Sequence, residues 1–217
     1  MELSFIPLLH NITPKELDEM QTLHGMHRHS YQKGEMILHA GNIAQEMGIV
    51  LSGNVHIENV NVWGTRSILQ AVPAGQMFAE TYVMCREPLM VDVVCAEDAQ
   101  VLMMDITALL REENRQKAWH PKLYHNLLMG AFQKNLALSN RIFCTTPKSV
   151  RGRVLSFLSY QSVRAGGAEF TIPFDRQEMA DYLNLDRSAL SKELGKMKND
   201  GLIEYHKNTF LIKTDIK

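Results

Sequence analysis

The chain has 217 residues, of which 45% are hydrophobic and 22% charged, and a net charge of −1, which is enough to bury one large core or two ordinary ones. No apolar run approaches membrane-spanning length and the first twenty residues lack both a basic leader and a small-residue cleavage site, so a cytoplasmic protein with no membrane partner is expected. Three scattered cysteines, Cys85, Cys95 and Cys144, argue against a disulfide framework and against a CxxC metal site.

The first half, to about Asp105, reads as short strands with glycine punctuation. Near its start, HGMHRH brings His24, His27 and His29 close together, a spacing that imidazoles can use for zinc, copper or haem. The favoured reading is a solvated polar edge at the approach to the first strand. Residues 36–39, 47–52, 54–62, 65–72, 91–96 and 101–105 are rich in Val, Ile and Met and separated by turn residues, which predicts an antiparallel β-roll or barrel. Gly34, Gly41, Gly53, Gly64 and Gly75 fall at or near the turns, with no phosphate-loop pattern among them. Met77, Met84, Met90, Met103 and Met104 could shape an adaptable apolar cavity, although core packing accounts for most of them equally well. Cys85 beside Arg86 is a conceivable redox switch, whereas Cys95 sits in an apolar strand.

From about Trp119 the character becomes helical. Pro121 suits a first turn, and Tyr124, Leu128, Ala131, Asn135, Leu138 and Ile142 follow a 4-3-4-3-4 series, the seam of a two-stranded coiled coil with Asn135 at an a-type position. A homodimer is expected through this seam, while Leu123 and Leu127 form a second stripe that can pack on the chain's own domain. Thr145-Thr146-Pro147 reads as a hinge, with Thr146 capping and Pro147 starting a helix through Val150, Val154, Leu155 and Leu158.

The last seventy residues carry the sharpest pattern. Residues 170–173 read as a strand. Asp175 can cap a helix with Glu178 three positions on, Met179 and Leu183 point inward, and Ala180 is small where a second helix must cross. Asn184, Leu185 and Asp186 supply a turn and the next cap. The second helix begins at Arg187, buries Leu190, Leu194 and Met197, and ends before Gly201. Residues 202–205 and 209–212 around His206-Lys207-Asn208 form a ribbon, which completes a winged helix-turn-helix. Arg187, Ser188, Ser191 and Lys192 project together, as a recognition helix presents side chains to double-stranded DNA. From Lys148 onward there are 12 Lys+Arg against 9 Asp+Glu, a charge of +3, so the remainder carries −4. The C-terminal part is the half that suits a polyanion.

Roll, long helix and winged helix in this order resemble the Crp/Fnr family of bacterial transcription regulators over essentially the whole chain. The resemblance rests on DRQEMADYLNLDRSALSKEL and, in the first half, on YQKGEMILHAGN, LSGNV and PAGQMFAE. It implies an α+β chain with a cyclic-nucleotide-binding-like roll (a double-stranded β-helix) at 1–117, a dimerisation helix at 118–145 and a winged helix-turn-helix at 146–217. It also implies that Arg187, Ser188, Ser191 and Lys192 read bases at a pseudo-palindromic operator and that Arg176 and Gln177 lie near DNA phosphates; Lys207 of the wing is a further phosphate candidate. RNA polymerase stays open as a partner. Ser188 stands where many members carry glutamate, so the base preference can differ.

The family's cyclic-nucleotide segment has the form F-G-E…R-(S/T)-A. In FAETYVMCREPLMVDVVCA, Glu80 is kept, but Ala79 replaces the glycine, and Met90 and Val91 stand at the Arg and Ser/Thr positions. An apolar pair cannot neutralise a buried phosphate, so cyclic AMP is disfavoured. Arg86 in a differently shaped loop would keep a cyclic-nucleotide-responsive regulator as an alternative. An iron–sulfur cluster, which needs four thiolates, is disfavoured, and haem stays open. A small apolar or aromatic effector would meet Glu80, Thr81, Met90 and Val91 on one wall and Tyr124, Leu138 and Ser139 on the other. No HExxH, GxSxG, phosphate loop or paired-carboxylate signature points to an enzyme, and a protein-binding winged helix without DNA is the remaining alternative.

Overall fold

The computed structural model describes residues 6–24, 26–60 and 66–213; Gly64, the strand residues Asn61, Val62 and Thr65, and the side chain of His24 lie outside them. By its internal contacts the chain divides between Phe132 and Gln133 into two units.

The first unit opens with helix α1 (Pro14–His24). Its start is a capping box: the Glu16 carboxylate accepts from the Thr13 amide at 2.7 Å and the Thr13 hydroxyl accepts from the Glu16 amide at 3.3 Å, which satisfies two amides left without helical partners. Then come strands β1 (His27–Tyr31), β2 (Met36–Leu38), β3 (Met47–Ser52), β4 (Asn54–Val60), β5 (Arg66–Pro73) and β6 (Met77–Phe78), the short helix α2 (Glu80–Cys85), strands β7 (Asp92–Cys95) and β8 (Ala99–Met104), and helix α3 (Ile106–Leu109). Two four-stranded antiparallel sheets form, in the orders β1-β8-β3-β6 and β2-β7-β4-β5. This is the two-sheet jelly roll that manages edges by folding a Greek key back on itself. Expectations for residues 36–39, 47–52, 91–96 and 101–105 agree with β2, β3, β7 and β8 to within two residues at each end.

Side chains alternate across a strand, and β3 and β8 use both faces. Met47, Ile49 and Leu51 with Leu102 and Met104 join one apolar cluster, while Val50 with Val101 and Met103 joins the other, between the sheets. Burial on both faces is why 47–52 reads as an unbroken apolar run rather than an alternating one. The outer cluster is closed by α1, by Trp119, and by Leu123 and Leu127, each large side chain contributing roughly 1.5–3 kcal/mol. The buried Trp119 donates its indole N–H to Glu19 at 3.0 Å, so its one polar group is satisfied. Between β3 and β4, Gly53 takes φ +80° and a Cβ there would lie 2.4 Å from the Asp98 carbonyl oxygen, a turn that only glycine can make.

Ala79, ahead of α2, is held at φ 63°, a left-handed conformation that costs a side-chain-bearing residue about 1–2 kcal/mol. Replacement by glycine removes that strain but loosens the unfolded chain by roughly 0.4–1 kcal/mol. Ala79→Gly should therefore raise stability by roughly 0.5–1 kcal/mol, read as a higher denaturant midpoint at unchanged slope. An unchanged midpoint would mean that the methyl packed against the inner core outweighs the strain.

Helix α4 (His120–Thr145) begins in the first unit, where Leu123 and Leu127 are buried and the Asn126 amide donates to the carbonyls of Leu8 and His10 at 3.0 and 2.8 Å. The second unit holds its last turns, helix α5 (Val150–Ala165), strand β9 (Glu169–Thr171), helices α6 (Arg176–Tyr182) and α7 (Arg187–Asn199), and strands β10 (Ile203–His206) and β11 (Thr209–Ile212). The three strands pair antiparallel in the order β10-β11-β9. Phe157, Leu158, Met179, Leu183, Leu190, Leu194, Met197 and Phe210 form one core. One expectation is corrected: Thr146 does not cap α5 and Pro147 does not start it. The Thr146 hydroxyl donates to the Ile142 carbonyl at 2.7 Å, continuing the end of α4, and Ser149 is the cap, its side chain accepting from the Gly152 amide.

Candidate nucleic-acid interface

The helix-turn-helix is assembled by its caps. Asp175 accepts from the Glu178 amide at 2.8 Å while Glu178 accepts from the Asp175 amide at 2.7 Å, a closed capping box that starts α6. Asn184 turns the chain in the left-handed region at φ 51°, which its short polar side chain tolerates better than most. Asp186 then starts α7, accepting from the amides of Ser188 and Ala189 and from the Ser188 hydroxyl. Those bonds, the hydroxyl first, hold the Asp186 carboxyl below its usual value, so the cap is a carboxylate at neutral pH. Met179, Ala180 and Leu183 of one helix meet Leu190, Leu194 and Met197 of the next in the core. Beyond Asp200, Gly201 takes φ 72° and ends the second helix.

Inward burial of Leu190 and Leu194 fixes what faces out. Arg187, Ser188, Ser191 and Lys192 are all exposed on the first turns of α7. The cations of α7 and the wing, with Arg151 of α5 that reaches them, divide into two sets. Arg151 pairs with Glu193 at 2.5 Å and Asp200 at 2.7 Å, Lys198 and Lys213 both pair with Glu204, at 3.1 and 2.8 Å, and Lys196 lies 4.0 Å from Glu193. Arg187, Lys192 and Lys207 have no ion pair among the described residues and are exposed. Two of these sit on the second helix and one at the tip of the wing.

Arg176 is the first residue of α6, and its side chain turns to the wing. Its Nη2 donates to the Lys207 carbonyl at 2.5 Å and its guanidinium lies 5.3 and 5.1 Å from the ring centres of Tyr205 and Phe210, a cation–π arrangement worth about 0.5–2 kcal/mol. Burial pushes its pKa below the ordinary arginine value, yet a guanidinium stays charged. Arg176 thus ties the start of α6 to the wing and sets where Lys207 stands. Gln177 donates to Asp181 at 2.9 Å along its own helix. Asp175, Arg176, Gln177, Arg187, Lys207 and Asn208 line one shallow depression, so the structure brings first helix, second helix and wing together on one surface. No sequence signal links Arg176 to Tyr205 and Phe210, because the contact exists only once the wing folds back.

The residues expected at an effector pocket are less gathered. Glu80 is buried at the start of α2, Thr81 is exposed beside it, and Arg86 is exposed at φ 55° where that helix ends. Met90 is 76% exposed and Val91 half-buried. Tyr124 belongs to the first unit, Leu138 and Ser139 to the second, and all three are exposed. The roll does carry a cavity, lined among others by Ile37, Leu38, Asn42, Ile43, Leu89 and Met103; Met103 is the one methionine expected at a cavity that lines it, and Glu80, Thr81, Arg86, Met90 and Val91 do not.

Along α4 the expected seam residues Tyr124, Leu128, Ala131, Asn135, Leu138 and Ile142 are all exposed. The strand β1 is a sheet edge; His27 lies 3.5 Å from Glu46 with the His29 ring 4.8 Å from its own. Among the described residues no group of three His, Cys, Asp or Glu side chains is arranged to hold a metal ion, and no helix is long and apolar enough to cross a membrane. Cys95 and Cys144 are buried and Cys85 is exposed; burial pushes the Cys95 and Cys144 thiols up, which keeps them protonated and unreactive.

Residues 28–114 match the cyclic nucleotide-binding domain family and residues 152–216 the Crp-like helix-turn-helix domain family. The chain is 23% identical over 211 residues to the cyclic AMP receptor protein of Thermus thermophilus, covering 95% of this chain and 92% of that one. It is 25% identical over 210 residues to the transcriptional activator protein FnrL of Cereibacter sphaeroides, covering 91% and 81%. Among solved structures it is similar in fold to OCPA-complexed CprK, with a TM-score of 0.65 at 13% identity, covering 92% of both chains. The regulator CLP of Xanthomonas campestris, described as c-di-GMP responsive, matches with a TM-score of 0.57 at 15% identity, covering 92% of this chain and 98% of that one.

Proposed function

Because the chain belongs to the Crp/Fnr family of transcription regulators, a family of DNA-binding proteins and not of enzymes, we propose that it acts in the cytoplasm as a homodimer. In this reading it binds a pseudo-palindromic operator and is switched by an effector other than cyclic AMP. The observation that carries this is the division of cations: Arg187, Lys192 and Lys207 lack acidic partners among the described residues, whereas the other cations of the helix-turn-helix and wing are engaged within the fold. An exposed, unpaired cation set on a capped helix and its wing suits phosphate and base-edge oxygens. The roles divide accordingly: Arg187, Ser191 and Lys192 reach base edges, Ser188 donates its hydroxyl to the cap and is left to accept, Lys207 meets phosphate, and Arg176 and Gln177 hold the first helix and the wing at the backbone. The functional division is an effector domain at 1–117, the pairing helix at 118–145 and the DNA-binding domain at 146–217. RNA polymerase is the partner through which a bound dimer would act on transcription.

For the effector, Met90 and Val91 supply neither a cation nor a hydroxyl for a cyclic phosphate, and an exposed Met90 is no anion partner. A small apolar or aromatic molecule needs neither, and its differential affinity for two pairings of α4 would shift the population able to bind both half-sites.

The test uses duplexes enriched from a random library by the full-length protein. The affinity of the wild type should fall steeply with salt, and Lys207→Ala should weaken binding evenly on enriched and random duplexes while lowering the salt slope by about one unit. Cyclic AMP added to the same titrations should leave the midpoint unchanged. No enrichment of any duplex would favour a protein-binding winged helix, and a midpoint shifted by cyclic AMP would restore Arg86 as its phosphate partner.

A further inference from the structure

The turn between α6 and α7 is held from behind by two arginines that come from two other helices. Arg141, in the last turns of α4, donates from Nε to the Tyr182 carbonyl at 3.0 Å and from Nη2 to the Asp181 carbonyl at 3.0 Å and the Asn184 side-chain oxygen at 3.1 Å. Arg153 of α5 donates from Nη1 to the carbonyls of Leu183 and Asn184 at 3.2 and 2.9 Å. Four successive backbone carbonyls, 181 to 184, are thus occupied by guanidinium groups. Carbonyls at a helix end lack helical partners and carry the negative end of its dipole, so cations there are expected to stabilise.

What is unusual is where the two arginines start. They flank the segment that joins α4 to α5, and Arg153 also donates from Nε to the Pro147 carbonyl within that segment at 2.9 Å. Asn140 of α4 donates to the Tyr160 hydroxyl of α5 at 3.0 Å. The end of α4, the connecting segment and the helix-turn-helix are therefore one hydrogen-bonded body. A guanidinium fork with several fixed acceptors resists rotation in a way that a single hydrogen bond does not.

We propose that Arg141 is a positioning residue that sets the angle between the end of α4 and the recognition helix α7, and thereby the separation of half-sites that a dimer accepts. The inference rests on the reading of the chain as a dimeric DNA-binding regulator. In such a dimer the pairing of α4 places two copies of this body about a two-fold axis, and the distance between recognition helices is transmitted through each clamp. With Arg141 replaced, the three bonds from α4 to the turn are lost while the Arg153 bonds, the Asn140–Tyr160 bond and the packing of Cys144 remain. The body stays folded, but its angle is less sharply held and a wider range of separations becomes acceptable.

The test uses the half-site enriched from a random duplex library by the wild type, rebuilt as full sites with the selected spacing and with one or two base pairs more or fewer. The wild type should penalise altered spacings by at least about tenfold, and Arg141→Gln should compress that penalty to within about threefold while its affinity for a duplex with one half-site changes less than about twofold. An equal spacing penalty in wild type and variant would overturn the proposal and leave Arg141 as a stabilising cap, for which a lower melting temperature and an even loss of affinity are the signs. A wild type that enriches no sequence, or shows no spacing preference, would instead overturn the dimeric-operator reading beneath it. Should Arg141→Gln fail to fold, Arg141→Lys is read by the same ratio, since a lysine reaches one carbonyl but cannot span three acceptors and should give an intermediate penalty.

Discussion

Replacing Arg187 with alanine should weaken operator binding by about 1–3 kcal/mol per half-site, hence by roughly 30-fold to 10⁴-fold for a dimer engaging two, and should relax base preference at one position of each half-site. Arg187 is the first residue of α7 and follows its cap Asp186, so its side chain leaves the helix where a recognition helix enters the major groove. It is exposed, and the described residues offer it no carboxylate, so no ion pair within the fold has to be broken before DNA is met. Alanine is the strongest helix former, and the inward residues Leu190, Leu194 and Met197 are untouched, so folding stability should change by less than about 0.5 kcal/mol. The measurement is a competition titration of the enriched operator against random duplex, with wild type and variant side by side. A loss confined to the enriched duplex marks base reading. An equal loss on both would reduce Arg187 to a phosphate contact and shift base reading to Ser191 and Lys192.

The winged helix was legible because its signals are local. Cap, capping-box glutamate, small residue, left-handed turn and second cap are close together in DRQEMADYLNLDRSALSKEL, and the three carboxylates among them accept from amides two or three residues away. In the roll, β3 announced itself because both its faces are buried. Strand β1, helix α2 and strand β6 carry no such signal. The strand β1 is an edge of sequence HRHSY with an exposed middle, so no apolar alternation marks it. Helix α2 begins after a left-handed Ala79 with no side-chain cap, and β6 has two residues. Helix α1 differs from these, since Thr13-Pro14-Lys15-Glu16 is itself a local start signal that the structure closes as a capping box. Thr146-Pro147 imitated a helix start that Ser149 makes three residues later. Arg141, Arg153 and Arg176 act on carbonyls and rings 30 to 40 residues away, and no periodicity in the sequence carries a contact of that range.

The surface of α4 allows the pairing face to be decided by two substitutions. Two apolar stripes are exposed on it: the seam Tyr124, Leu128, Leu138 and Ile142 with Ala131 and Asn135, and a second stripe of Met129, Phe132, Leu136 and Phe143. At 3.6 residues per turn their centres lie about a third of a turn apart, so one partner helix cannot cover both equally. Met129, Phe132, Leu136 and Phe143 also fit a four-and-three spacing, but only the seam places Asn135 where a polar residue fixes register in a coiled coil, which favours it as the contact between protomers. Leu138→Glu should then break the dimer. Two glutamates would face each other across the two-fold axis and two buried leucines would be lost, a combined cost of about 4–6 kcal/mol that raises the dimer dissociation constant by roughly 10³ to 10⁴. Because Leu138 is 61% exposed in the single chain, the protomer should keep its helical signal and its melting behaviour. Operator affinity should fall with the dimer, since two half-sites no longer act together. Leu136→Glu is the matched control, 62% exposed on the other stripe, and should leave the dimer mass by sedimentation equilibrium unchanged. The reverse result, a monomer from Leu136→Glu and a dimer from Leu138→Glu, would move the interface to the second stripe and with it Asn135 out of the contact.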